Sequence, residues 1–184
     1  MASVALTPTG MRLSAWLLWW LSLCGLSCEA GPVDLILDTD LSIDVDDVGA
    51  MCVAHALADQ GEAKLLAVIH DTGLPQGVGG LSVINEYYGR RVPLGAYRGP
   101  VGKPGTDLSH PGWTNEGRGH YVEQLLSEFV SPVRLASDVP DAVTVYRQSL
   151  SSASQRSVVI VGIGFATALL ELLNSPADGI CETA

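Results

Sequence analysis

Short apolar runs alternate with helical patterns along most of the chain, and this alternation constrains the fold more than any other feature. Residues 33–37 (VDLIL), 65–69 (LLAVI), 92–96 and 157–161 read as strands. Apolar residues recur near helical spacing over 46–58, 78–88, 121–129, 141–150 and 165–174. Asp46 and Asp47 open the first helix, where the dipole favours carboxylates, and Asp138 or Asp141 is placed to cap the helix over 141–150. Gly77, Gly79 and Gly80 form one turn into a helix, and Gly162 and Gly164 another. The Gly- and Pro-rich stretch 98–119 reads as a long loop. Such βα units predict an α/β fold, a mostly parallel open sheet with helices on both faces.

Charge narrows the partners. The 184 residues suit one domain, and 47% hydrophobic content excludes a disordered acidic chain despite a net charge of −10. With 10 Lys+Arg against 20 Asp+Glu, a nucleic acid polymer is not an expected partner, because its phosphates need clustered basic residues. Residues 1–30 read as a secretory signal peptide. Arg12 precedes an apolar run over 13–26, and Cys28 and Ala30 occupy the −3 and −1 positions of a cut before Gly31. The run is shorter than the ~20 residues that span a bilayer, although Trp16, Trp19 and Trp20 would also suit an uncleaved anchor. The expected mature chain is 31–184, secreted or lumenal, and off the membrane after cleavage. An oxidising compartment permits a Cys52–Cys181 disulfide, while the helical pattern around Cys52 marks it as a core residue.

The first strand runs into acid. Asp38, Asp40, Asp44, Asp46 and Asp47 fall within ten residues, and no Lys or Arg occurs between Arg12 and Lys64. Two carboxylates ~4 Å apart repel by ~4 kcal/mol at an effective dielectric of 20. Strand end and helix start meet at one point of a βα unit, so these groups need a cation there or hold protons above their normal range. Hard oxygen donors of this density suit calcium or magnesium rather than zinc. A helix-capping role explains one such Asp but not the whole set.

At these residues the chain resembles the inosine/uridine-preferring nucleoside hydrolase family. The resemblance rests on Asp38-Thr39-Asp40, a short turn, Asp44-Val45-Asp46-Asp47 and an Ala-containing helix. It extends through Ile84–Arg90, Val92–Gly95, Asp141–Tyr146 and Val158–Thr167, covering nearly all of 33–178. It implies a nucleoside-hydrolase or Rossmann-like sheet and hydrolysis of the N-glycosidic bond of a small-molecule nucleoside to ribose and free base. It also implies a Ca2+ cofactor that orients and acidifies the attacking water. By motif position Asp40 is a calcium ligand and general base, and Asp47 a second ligand. Asp46 accepts a hydrogen bond from a ribose hydroxyl, and Asp38 ligates or supports from behind. The turn after the fourth strand resembles the family's carbonyl ligand, which falls on Ile163.

The chain departs from the family at several places. Where the second strand commonly ends Gly-Asn, this one reads His70-Asp71-Thr72-Gly73, with His70 as a substitute polar contact to the sugar. Thr167-Ala168 replaces Thr-Asn. The chain stops at Ala184, about half the family's mature length, so the sheet is expected to be incomplete at its C-terminal end. Weak calcium binding, poor or absent turnover and association of copies through the uncovered edge are expected to follow. His110 and His120 read as loop residues. Two alternatives use the same segment: a secreted calcium- and sugar-binding protein without turnover, and a haloacid-dehalogenase-like phosphatase. The second would need a later Lys that Lys64 and Lys103 supply poorly.

Overall fold

The computed structural model describes residues 31–42, 44–101 and 120–177. Strands β1 (Val33–Thr39), β2 (Ala63–His70), β3 (Leu94–Ala96) and β4 (Val158–Gly162) form one sheet in the order β3-β2-β1-β4, with every pairing parallel. Around it pack helices α1 (Asp46–Asp59), α2 (Gly77–Tyr87), α3 (His120–Glu128), α4 (Ala142–Ser151) and α5 (Thr167–Asn174). The signal-peptide reading of 1–30, most of the Gly/Pro-rich loop with Lys103 and His110, and Cys181 lie outside the described residues. No helix among the described residues is long and apolar enough to cross a membrane.

Strand side chains alternate, and the alternation builds two cores. Leu37 and Val68 face α1, α2 and α3, packing with Met51, Val78, Leu81 and Val122. Ile36, Ala67 and Ile69 face α4 and α5, packing with Val145, Tyr146, Ala168 and Leu172. The chain is therefore an α/β fold with helices on both faces, as the alternation predicts.

The elements differ from the sequence reading at their ends. β2 begins two residues earlier and carries a register shift, Leu35 pairing with Leu65 and Ile36 with Ala67. The extra residue lets Ala63, Leu65, Val68 and His70 all lie on the α1–α2 side. β3 starts at Leu94 rather than at 92, because Pro93 has no N–H for the ladder; its carbonyl still accepts the Val68 N–H at 2.9 Å. Asp141, not Asp138, caps α4, accepting the Val143 N–H at 2.9 Å. Asp138 instead accepts the N–H groups of Arg134 and Leu135, both at 2.9 Å, around a 3-10 turn at Ala136–Asp138.

Strand order positions the site. β2 and β3 extend from one side of β1, and β4 returns to the other side. In an open parallel sheet the crevice opens at such a reversal, outside the carboxyl ends of the strands. The acidic segment follows the carboxyl end of β1.

Candidate metal-binding site

The last residues of β1 project to opposite faces of the sheet. Asp38 lies on the α4–α5 side, fully buried; its Oδ2 accepts a hydrogen bond from the Tyr146 hydroxyl, and its Oδ1 has no partner. Thr39 lies on the α1 side and donates to Asp47 Oδ1 at 2.5 Å. That bond draws Asp47 inward to 2% exposure although it sits in the first turn of α1. Asp40, one residue past the strand, is half-buried.

Asp44, Asp46 and Asp47 converge, with one carboxylate oxygen from each lying within 4.8 Å of the other two. Asp44 and Asp46 are exposed and Asp47 is buried. Tyr121 of α3 donates to the Asp44 carbonyl at 2.6 Å and holds this loop. Across the reversal, the Ile163 N–H donates to the Asp38 carbonyl at 2.9 Å, which continues the β1–β4 ladder into the turn before α5. At Gly164 a Cβ would stand 2.6 Å from the Asp40 nitrogen, so only glycine allows this approach.

The residue after β2 contributes a further carboxylate. Asp71 is fully buried, its N–H donates to the Thr39 carbonyl at 2.9 Å, and its Oδ2 accepts the Ala168 N–H at 2.9 Å at the start of α5. Its Oδ1 has no partner.

Burial dominates the electrostatics. It pushes the Asp38 carboxyl up to about 7, against the lowering effect of the Tyr146 bond, with Asp71 and Asp40 adding repulsion. Burial pushes Asp47 up to about 6, against the Thr39 bond, with Asp40, Asp46 and Asp44 adding to the rise. Asp71 is raised to about 6 by burial, against the α5 amides. Asp40 is raised by burial, and repulsion from Asp44, Asp46 and Asp71 adds to it. No basic side chain is among the main influences on these four groups. Buried carboxylates without a base nearby need a cation or a proton. The donors are all hard oxygens, and among the described residues the trio Asp44, Asp46 and Asp47 is the grouping close enough to share one divalent cation, while buried oxygens on Asp38 and Asp71 have no partner.

The structure sorts the sequence-derived candidates. Asp46 and Asp47 meet in the trio, joined by Asp44, which the sequence reading had left outside the ligand set. Asp38 and Asp40 stand outside that trio, Asp38 behind it against Tyr146. Ile163, whose carbonyl was the expected ligand, lies in the turn beside Asp38 with its N–H on the Asp38 carbonyl. His70, expected at the sugar, is instead fully buried beneath α2: its Nε2 meets the Leu41 carbonyl at 3.1 Å, and a Cβ on Gly77 would lie 2.0 Å from that nitrogen. Strand parity sends it there, and it acts on the site by holding the Leu41 turn. Lys64 pairs with Asp34 at 4.0 Å, at the amino end of the strands and away from Asp38. Sequence reasoning missed Asp71 and Tyr146. Asp71 had a usable signal, since it directly follows a strand whose end opens on the crevice; Tyr146 had none, being 108 residues from Asp38. No protein-family model, no curated protein and no solved structure matches this chain.

Proposed function

We propose that the chain holds a hard divalent cation, Ca2+, among these carboxylates and binds a small-molecule nucleoside through its sugar, as a hydrolase of the N-glycosidic bond. The observation that carries this reading is the gathering of buried carboxylates with no basic partner at the strand-order reversal, two of them with unpartnered oxygens. Asp40, Asp47, Asp38 and the Ile163 carbonyl are the residues that would hold the ion, with Asp44 beside Asp47. When bound, such a cation acidifies a coordinated water and offers coordination to sugar hydroxyls.

The chain's own groups divide the remaining work. Asp40, half-buried at the strand end, takes the proton from the attacking water as general base. Asp46, exposed at the mouth, accepts a hydrogen bond from a ribose hydroxyl. Tyr146 fixes one oxygen of Asp38, and Thr39 fixes one of Asp47, so neither carboxylate has to reorganise. The secreted or lumenal setting read from 1–30 suits a site of this kind, since extracellular calcium modules work at ~10⁻⁴–10⁻³ M.

The test is ribose release from inosine and uridine by the purified protein, with and without EGTA. Calcium-dependent release supports the hydrolase. Calcium-dependent stabilisation with no release leaves the alternative, a calcium- and sugar-binding protein without turnover. Asp40→Asn and Asp47→Asn each abolish the calcium-induced rise in Tm; an undiminished rise in both variants discards the ligand assignment.

A further inference from the structure

We propose that a cavity at the β3 edge of the sheet binds a small organic acid, an apolar body carrying one carboxylate, and that Arg91 selects its negative charge. None of the residues lining this cavity belongs to the acidic segment 38–47, so the inference goes beyond the function proposed above.

The cavity measures about 610 Å³, within the ~300–1,000 Å³ of pockets that take a small molecule. It forms where the sheet runs out. β3 is an edge strand of three residues, and Pro93 before it has no N–H to extend a ladder, so Val92 and Pro93 serve as wall instead of sheet. Ser82, Asn85 and Glu86 of α2 contribute to the lining, as do Val145, Gln148 and Ser149 of α4. Leu94 and Val139 belong to one apolar core and Val145 to the other, so the hollow adjoins both. Pro132 and Pro140 add apolar surface that carries no N–H. Water gains little in a hollow of this kind, and a hydrocarbon body replaces it favourably.

Charge decides the class of occupant. The chain has 20 Asp+Glu against 10 Lys+Arg, yet this lining holds Arg90 and Arg91 against one acid, Glu86. Arg90 is already engaged: its guanidinium donates to Asp59 and lies 3.5 Å from His55 Nδ1. Arg91 is exposed and has no hydrogen-bond or ion-pair partner among the described residues. Its planar fork matches a carboxylate and repels an ammonium, so an apolar acid is favoured over an apolar amine.

Decanoate, acetate and decyltrimethylammonium are titrated by calorimetry into the full chain in EGTA. Decanoate binds one to one and saturates, at least about tenfold tighter than either acetate or the cationic counterpart. Arg91→Glu weakens decanoate by about tenfold or more and removes the preference over the cation, with Tm unchanged because no contact is lost. Arg91→Gln, which removes the charge without reversing it, moves affinity in the same direction and serves if Arg91→Glu does not fold. Ser149→Trp adds bulk to the hollow from α4 and weakens decanoate with Arg91 still in place. Equal affinity for decanoate and its cationic counterpart overturns the inference, as does uptake that never saturates. Decanoate affinity within twofold of wild type in the folded Arg91 variants overturns it too. Ribose release measured on the same wild-type sample reads the acidic site separately, so either proposal can fail alone.

Discussion

His70 shows how a single buried residue ties stability to pH. Burial pushes its pKa from 6.5 down to about 4, against the Leu41 carbonyl, which raises it. A histidine depressed in the folded state contributes its stability fully above 6.5 and loses it as pH falls toward about 4, because the unfolded chain takes the proton first. The full swing is about 3 kcal/mol. Asp38 acts in the opposite sense: raised to about 7, it favours folding as pH falls from there toward 3.8. Urea unfolding of wild type and His70→Gln at pH 7.5 and 5 separates the two. The variant gains on wild type as pH drops, and parallel curves would refute a neutral buried imidazole. Tyr146→Phe leaves Asp38 with neither oxygen partnered, so the calcium-free protein loses about 1–3 kcal/mol in urea unfolding at pH 8.

At the scale of elements, the turn between β4 and α5 carries the junction. It is held to β1 by the Ile163–Asp38 bond, to β2 by Asp71 on the Ala168 amide, and against Asp40 by the lack of a side chain at Gly164. Gly164→Ala forces its Cβ against the Asp40 backbone and side chain, costing about 1–3 kcal/mol and shrinking the calcium-induced Tm rise. Asp141→Ala is the contrasting case: removal of the α4 cap costs about 1 kcal/mol and leaves the calcium-induced rise intact. Equal effects of the two substitutions on that rise would show that the turn has no special relation to the site. The β2 register shift belongs to this scale as well, since without the extra residue either Leu65 or His70 would face the wrong side of the sheet.

Across the whole molecule the outer margin of β4 stands apart. Val159 and Val161 are 47% and 38% exposed, Leu170 and Leu173 of α5 are exposed as well, and no charged residue occurs from Ser157 to Leu170. In a chain of net charge −10, an uncharged apolar strand margin is where association of copies is least opposed. Val159→Lys with Val161→Lys raises solubility and moves any larger species toward monomer in size-exclusion chromatography; an unchanged elution and solubility argues against edge association. The sequence by itself determined the α/β class and the placing of Asp38 and Asp40 at the end of β1 and of Asp46 and Asp47 at the start of α1. Periodicity and strand-to-helix order are local properties, and they put those residues within a few positions of each other. Only the tertiary structure decided that Asp44 completes a trio with Asp46 and Asp47, that His70 turns inward under Gly77, and that Tyr146 and Asp71 close on Asp38 from other elements. Those outcomes depend on strand parity, on one extra residue in β2 and on packing between segments far apart in the chain, none of which leaves a repeating mark in the order of the amino acids.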